Sequence, residues 1–164
     1  MKITTWNVNS VNARIEHLKK FIKKDQSDLY LIQELKCTNE SFPKEELENI
    51  NYKCYVNGQK AWNGVAILSK ENIKISNLNI PNYKDINSRF IETDISLNNI
   101  KSKIKLINIY LPNGNPIETE KFDYKIDWMK NFNKYIKELI DKKYPIIIGG
   151  DFNIIPAEED VHNH

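Results

Sequence analysis

Cysteine and histidine are scarce in this chain of 164 residues, which contains two cysteines and three histidines. The cysteines, Cys37 and Cys54, are too few for a disulfide framework and have no Cys-x-x-Cys or Cys/His spacing. The lack of a Cys/His cluster also argues against a zinc site. A reducing cytoplasm is therefore the compartment that we expect for this protein.

Long hydrophobic runs and arginine are scarce as well. The longest apolar runs have four or five residues, as in residues 64–68, whereas about 20 are needed to cross a bilayer. We therefore expect no membrane partner. Arg14 and Arg89 are the only arginines, and the net charge of +2 is too small to establish a nucleic-acid partner. Any case for DNA must rest on particular residues.

The composition suits one folded domain over residues 1–164, because 40% of the residues are hydrophobic and 28% are charged. Apolar residues spaced three and four apart predict two long amphipathic helices, over residues 11–24 and 119–142. Pro43 can open a short third helix. Apolar and alternating segments predict eight strands, over residues 2–8, 28–33, 52–57, 64–69, 72–76, 89–95, 103–111 and 145–150.

Two long helices are too few to cover a single sheet of eight strands. Strands about 4.8 Å apart would form a sheet about 38 Å wide, and one helix is about 10–12 Å across. Either the strands split into two sheets that cover each other, or a covering layer is missing from the chain. Because the sequence ends directly after a strand and a loop, we expect that a C-terminal part is missing.

Polar residues end or follow four of the predicted strands: Asn7, Gln33 and Glu34, Asn108 to Tyr110, and Asp151 and Asn153. Strand ends at one edge of a sheet can converge on a shared crevice. The carboxylates of Glu34 and Asp151 and the amides of Asn7 and Asn153 are hard oxygen ligands, which suit Mg²⁺. Two glycines before Asp151 allow the backbone to turn sharply.

Each of these residues also has an ordinary structural interpretation. Asn7 can be a turn residue after a strand, and Glu34 can be an exposed acid. A Gly-Asp pair such as the one at Asp151 occurs in common turns. The combination is more specific than any single member.

Six segments carry a family resemblance: residues 3–9 (ITTWNVN), 31–36 (LIQELK), 58–70 (GQKAWNGVAILSK), 88–91 (SRFI), 108–114 (NIYLPNG) and 150–156 (GDFNIIP). On these motifs the chain resembles the exonuclease III family of apurinic/apyrimidinic endonucleases, within the endonuclease/exonuclease/phosphatase superfamily. GDFN and the Gln-Glu pair are shared by the wider superfamily. The NGVAILSK and YLPNG stretches are more particular to its DNA-repair branch.

The resemblance implies a four-layer α/β sandwich of the DNase I-like type, of which this chain supplies about the N-terminal half. It implies a phosphodiesterase dependent on Mg²⁺ or Mn²⁺ that cuts duplex DNA 5′ to abasic sites and removes nucleotides from 3′ ends. Glu34, supported by Asn7, would hold the metal together with Asp151 and Asn153. Asp151 would also deprotonate the attacking water, and Asn153 would position it. Tyr110 would contact the scissile phosphate.

The resemblance also implies a set of DNA contacts. Arg89 and Asn113 would grip the DNA backbone near the lesion. Gln59, Lys60 and Trp62 lie on a loop that faces DNA in such proteins. A solvated hairpin is an equally good interpretation of that loop.

The family continues beyond the length of this chain, with an Arg-Ile-Asp-like segment and an Asp-His pair whose histidine contacts the phosphate. His162 and His164 do not replace that pair. Two alternatives therefore stay open beside the nuclease. One is a superfamily phosphodiesterase that acts on a lipid or inositol phosphate, and the other is a truncated, catalytically inactive fragment or DNA-binding remnant.

Overall fold

The computed structural model of the chain describes residues 1–97, 100–157 and 160, so that His162 and His164 lie outside the described residues. Within the described part there are three α-helices, a 3-10 turn (Asn12–Arg14) and eight strands. The helices are α1 (Ile15–Asp25), α2 (Lys44–Glu48) and α3 (Glu120–Asp141). The strands are β1 (Ile3–Asn7), β2 (Leu29–Gln33), β3 (Lys53–Asn57), β4 (Val65–Ser69), β5 (Ile75–Asn77), β6 (Phe90–Leu97), β7 (Ile100–Tyr110) and β8 (Ile146–Asp151).

The predicted elements are confirmed within a few residues of their expected bounds. β5 begins at Ile75, three residues later than expected, and has an irregular register against β6. The first helix begins later than expected because Asn12–Arg14 forms a 3-10 turn. No helix in the described part of the chain is long and apolar enough to cross a membrane.

The strands form two four-stranded sheets, in the orders β1-β2-β4-β3 and β5-β6-β7-β8. The β1/β2 and β7/β8 pairs are parallel, and the pairs β2/β4, β3/β4, β5/β6 and β6/β7 are antiparallel. Parallel neighbours need a crossover connection, which α1 and α3 provide. Each sheet therefore has one parallel pair whose carboxyl ends lie side by side.

An apolar core between the two sheets holds them face to face. Its buried members, none more than 6% exposed, are Leu29 and Leu31 of β2, Val65 and Ile67 of β4, Ile91 and Ile95 of β6, and Ile104 and Leu106 of β7. The two sheets therefore cover each other. Of the two alternatives, the split into two sheets that cover each other is the one observed, so the strand count does not require a missing layer.

Helices cover the outer faces of the sheets, because successive side chains of a strand point to opposite faces. Leu18 and Ile22 of α1 pack with Tyr30 and Ile32 of β2. On the other side, the apolar stripe of α3 packs on β6 and β7 through Trp128, Phe132, Tyr135 and Leu139 against Phe90, Ile107 and Ile109. The layer order is helix, sheet, sheet, helix, which confirms the predicted α/β sandwich.

Two buried amides, Gln33 at the end of β2 and Asn108 in β7, connect the sheets through hydrogen bonds. Gln33 Nε2 donates to Asn108 Oδ1 at 2.7 Å. Asn108 Nδ2 donates to the backbone carbonyls of Ile32 at 3.1 Å and Ala66 at 2.9 Å. Because an unpaired amide is costly in an apolar interior, these bonds fix the position of β7 against β2 and β4.

We predict that Asn108→Ala lowers the free energy of unfolding by about 2–4 kcal/mol, because it removes the three buried hydrogen bonds that join Asn108 to Gln33, Ile32 and Ala66. Denaturant unfolding followed by circular dichroism measures this change. The control is Asn133→Ala, at an exposed position of α3, which should change stability by less than about 0.5 kcal/mol. Equal effects of the two substitutions would contradict the role of Asn108.

Candidate active site

Four strand ends carry the polar residues of the candidate site. Asn7 ends β1 opposite Gln33 of β2, and Tyr110 ends β7 opposite Asp151 of β8. Glu34 follows Gln33 directly. The carboxyl ends of both parallel pairs therefore meet in one crevice between the sheets, which is where ligands bind in many α/β proteins.

The side-chain amide of Asn7 joins the two carboxylates of the site. Its Nδ2 donates to Glu34 Oε1 at 2.9 Å and to Asp151 Oδ2 at 2.7 Å. Its Oδ1 accepts a hydrogen bond from the backbone N–H of Asn9 at 3.0 Å. Residues from the start, the first quarter and the end of the chain are thus in direct contact. Asn7 supports the carboxylates through its nitrogen, and its oxygen is engaged with Asn9.

Glu34 is held in its ionised form by the groups around it. Oε1 accepts hydrogen bonds from Asn7 and from the Tyr110 hydroxyl at 2.8 Å, and Oε2 lies 3.1 Å from Lys36 Nζ. Burial raises the pKa of Glu34, but the hydrogen bonds from Asn7, Tyr110 and Lys36 together outweigh it. The net effect lowers the pKa of Glu34 below its ordinary value of 4.5.

Tyr110 gives its hydroxyl hydrogen to Glu34, so in this arrangement the phenol is not a free donor toward a phosphate. Burial and the neighbouring Glu34 carboxylate raise the pKa of Tyr110, which keeps the phenol protonated. The predicted contact between Tyr110 and the scissile phosphate stays a prediction. The observed role of Tyr110 is to hold one oxygen of Glu34.

The backbone around the carboxylates adopts positive φ values that non-glycine residues rarely have. Glu34 and Lys36 both have φ of 54°, and Asn9 and Asn153 both have φ of 45°. Such conformations cost free energy and persist where surrounding contacts hold them. The strained residues belong to the loops that carry the site.

The two glycines before Asp151 are required by close packing. A Cβ on Gly149 would lie 2.5 Å from Leu31 Cδ1, and one on Gly150, whose φ is 144°, would lie 2.0 Å from the Ile109 carbonyl oxygen. The expected sharp turn is thus accompanied by a close approach of β8 to both β2 and β7. This approach places Asp151 beside Asn7.

Asn153 lies next to Asp151, but its side chain points to a different loop. Its backbone N–H donates to Asp151 Oδ1 at 2.9 Å. Its Nδ2 donates to the Leu111 carbonyl at 2.7 Å. The structure therefore brings Asn153 to the site through its backbone, and its roles in metal binding and water positioning stay predictions.

Arg89 lies between two tyrosine rings, beside the site. Its guanidinium carbon is 5.0 Å from the centroid of the Tyr110 ring and 5.6 Å from that of Tyr124, and Nη1 donates to the Tyr110 carbonyl at 3.1 Å. Among the described residues, the buried Nε has no hydrogen-bond partner. The charge is therefore held in place without an acidic partner in these contacts, and the predicted contact between Arg89 and the DNA backbone stays a prediction.

In the loop predicted to face DNA, Gln59 is held by hydrogen bonds, whereas Lys60 and Trp62 are exposed. Gln59 Oε1 accepts from Asn63 Nδ2 and from the Ser88 N–H, and Gln59 Nε2 donates to Asn87 Oδ1. The Gln59 amide is therefore used to fix two loops to each other. Lys60 and Trp62 are exposed, and Trp62 is 69% exposed. Gln59 is thus anchored while Lys60 and Trp62 face solvent, and the predicted contacts of all three residues with DNA stay predictions.

Asn113 is exposed on the loop that follows β7, and Asn113 Oδ1 accepts from the Asn115 N–H at 3.1 Å. Its predicted contact with DNA stays a prediction. The Asn113 carbonyl accepts a hydrogen bond from Lys125 of α3. Lys125 also reaches Asn153 and so connects Asn113 to the site.

The donor set is compatible with Mg²⁺, although it is small. Glu34 and Asp151 supply two carboxylates, and Lys36 compensates only one of their charges. The described residues contain no group of three or more His, Cys, Asp or Glu side chains that could hold a metal. Mg²⁺ keeps several waters and commonly binds through one or two carboxylates, so this pair fits it.

Sequence reasoning did not assign functions to Lys36, Tyr124 or Lys125. Lys36 follows Glu34 by two residues within the motif of residues 31–36, and this spacing could have indicated that Lys36 lies near the Glu34 carboxylate. Tyr124 and Lys125 lie on a helix whose periodicity was assigned to packing. Only the fold shows that two polar side chains of this helix reach the site loops.

The fold and the site define a class of protein: a four-layer α/β sandwich with a carboxylate and amide cluster where two parallel strand pairs end. The family model described as Endonuclease/Exonuclease/phosphatase family matches residues 4–164. The chain belongs to this family. It is 34% identical over 163 residues to exodeoxyribonuclease III of Haemophilus influenzae, an alignment that covers 98% of this chain and 60% of that protein.

Solved structures show the same relationship. An AP endonuclease from Archaeoglobus fulgidus superposes with a TM-score of 0.86 at 32% identity, over 99% of this chain and 61% of that one. A 3′ phosphatase from Neisseria, bound to a product DNA hairpin, gives 0.83 at 31% identity, over 99% of this chain and 62% of that one. The chain thus spans about 60% of the length of the relatives that it matches.

We predict that Lys36→Met raises the pKa of Glu34, because it removes one donor and one positive charge from the carboxylate. A carboxyl whose folded pKa is lowered stabilises the fold above its ordinary pKa of 4.5, and this contribution is lost as the pH falls through the folded pKa. In the Lys36→Met variant, ionised Glu34 should therefore contribute less to the stability of the fold, and less stability should be lost as the pH falls. A ¹³C NMR titration of the Glu34 carboxyl measures the shift.

Lys20→Met, at an exposed position of α1, is the matched control for the loss of one charge. It should leave the titration of Glu34 unchanged. An unchanged Glu34 titration in Lys36→Met would show that the ammonium does not act on the carboxylate.

Proposed function

We propose that this protein is a DNA-repair phosphodiesterase of the exodeoxyribonuclease III type, which cleaves duplex DNA 5′ to abasic sites and removes nucleotides from 3′ ends. The observation that carries the proposal is the Asn7 amide, which donates to both Glu34 and Asp151. The similarity to an exodeoxyribonuclease III and to an AP endonuclease supports it. Because the chain spans about 60% of these relatives, the proposal concerns the whole protein's activity.

Mg²⁺ or Mn²⁺ is the cofactor that we propose. Glu34 and Asp151 would hold it, and Asn7 would keep the two carboxylates together. When bound, the divalent cation acts as a Lewis acid that neutralises charge on the scissile phosphate. Because Asn7 Nδ2 donates to both Glu34 and Asp151, we assign Asn7 the supporting role of an amide donor to the two carboxylates.

Asp151 is the general base of this proposal. Oδ2 accepts from Asn7 and Oδ1 accepts from the Asn153 N–H, which fixes the orientation of the carboxylate. Each carboxylate oxygen has two acceptor positions, so each keeps one that can take a proton from a water. Asp151 would thus orient the attacking water and accept its proton.

DNA contacts would come from the groups around this centre. Arg89 presents a guanidinium that is stacked between Tyr110 and Tyr124, and we propose that it binds a backbone phosphate. Lys60 and Trp62 are exposed on the loop predicted to face DNA and would contact the same duplex. We also propose a cytoplasmic location, which agrees with the free thiols of Cys37 and Cys54.

The proposal is tested by offering the complete enzyme two substrates in separate assays with Mg²⁺. One is a duplex with a single abasic site, and the other is a phosphoinositide. We expect cleavage 5′ to the abasic site, and chelation of the metal should abolish it. Cleavage of the phosphoinositide alone would overturn the proposal in favour of a lipid phosphodiesterase, and inactivity on both substrates would overturn both phosphodiesterase assignments.

We predict that Asp151→Asn in the complete enzyme lowers kcat by about 10²–10⁴-fold, the usual contribution of general acid–base catalysis. The substituted amide keeps an oxygen that can accept from Asn7 but cannot take a proton. Affinity for abasic DNA should be equal or higher, because one negative charge is lost. Turnover and fluorescence anisotropy measure the two quantities, and a parallel loss of affinity would argue against the assignment as base.

A further inference from the structure

The ammonium group of Lys125, in the second turn of α3, connects two loops of the candidate site. Lys125 Nζ donates to the Asn113 carbonyl at 3.1 Å and to the Asn153 carbonyl at 2.7 Å. The first loop follows β7 and carries a predicted DNA contact. The second follows β8 and begins at Asp151. One side chain from a helix thus reaches the main chain of both.

The loop after β7 is shaped to accept the Lys125 side chain. Gly114 has φ of 74°, and a Cβ built on it would lie 2.5 Å from Lys125 Cδ and 2.9 Å from Lys125 Cβ. Only a residue without a side chain allows this approach together with this backbone conformation. Lys125 is partly buried, and its aliphatic stem packs on the loop while its charged end bonds the carbonyls.

Asn153 depends on a small number of contacts for its position. Its N–H bonds Asp151, its side chain bonds the Leu111 carbonyl, and its own carbonyl bonds Lys125. Its φ of 45° is a strained value for a non-glycine residue. Hydrogen bonds from an ammonium are stronger than those from neutral donors, so Lys125 is well suited to hold this conformation.

We propose that Lys125 is a positioning residue, which fixes the loop of Asn113 relative to the loop of Asp151 and Asn153 by bonding one carbonyl from each. This inference rests on the proposed nuclease function for its catalytic consequence. The structural consequence is independent of that function. Lys125 acts through the site loops and touches none of the reacting groups.

The structural consequence is tested by amide hydrogen exchange in the 164-residue chain, without DNA or metal. Lys125→Met keeps the aliphatic stem on Gly114 and removes the N–H donors. We expect the Asn153 amide, which bonds Asp151, to exchange about tenfold faster, a factor that corresponds to about 1.4 kcal/mol. Lys125→Arg should restore slow exchange, because a guanidinium can donate to both carbonyls.

The matched control is Lys134→Met, which removes one lysine charge at an exposed position of the same helix. It should leave exchange at Asn153 unchanged. Amides within β8 and α3 should be unaffected in all three variants. Unchanged exchange at Asn153 in Lys125→Met would overturn the proposal.

The catalytic consequence is measured in the complete enzyme with abasic duplex DNA. Lys125→Met should lower kcat by about tenfold with little change in KM, and Lys125→Arg should restore kcat. A raised KM and weaker salt dependence, with unchanged exchange at Asn153, would identify a direct phosphate contact and overturn the positioning role. If the unsubstituted enzyme cleaves no DNA, the proposed function fails while the exchange result still decides the role of Lys125.

Discussion

The contact between the two sheets is the constraint on which the site depends. Apolar side chains of β2 and β4 pack against those of β6 and β7, and within this core the buried amides of Gln33 and Asn108 bond each other. Two amides can form their hydrogen bonds in only one relative position of the two sheets, whereas apolar packing alone tolerates small shifts of one sheet against the other. Because Glu34 follows Gln33 and Tyr110 lies two residues after Asn108, this register brings Glu34 and Tyr110 together.

The site itself is an assembly of hydrogen bonds that keeps two carboxylates close without neutralising them. The carboxylates of Glu34 and Asp151 are close enough to bond the same Asn7 nitrogen, so their negative charges repel each other. The neutral Asn7 amide donates a hydrogen bond to each carboxylate, and Lys36 compensates part of the charge. The remaining negative charge favours a divalent cation. The strained φ values of Glu34, Lys36 and Asn153 show that the surrounding contacts determine the local backbone.

Helix α3 has two roles in the molecule that correspond to its two kinds of side chain. Its apolar stripe, including Trp128 and Phe132, covers the outer face of the second sheet. Near its N-terminal end, Tyr124 packs beside Arg89 and Lys125 bonds the two site loops. Burial of the apolar stripe therefore also sets where the polar residues of the first turns lie, so that packing and site geometry are coupled through one rigid helix.

The local sequence pattern determined the strands, the helices and the four strand ends that carry the site. Apolar residues that alternate along a strand or recur every three to four positions along a helix can be recognised from neighbouring positions, and so can polar residues at the end of a strand. Motif resemblance identified the family. The division of the strands into two mutually covering sheets was decided by tertiary structure, since identical apolar runs can face a helix or a second sheet. Tertiary structure also decided three contacts between segments far apart in the chain. These are the hydrogen bonds from Asn7 to Asp151, from the Gln59 amide to Asn87, and from Lys125 to the Asn153 carbonyl.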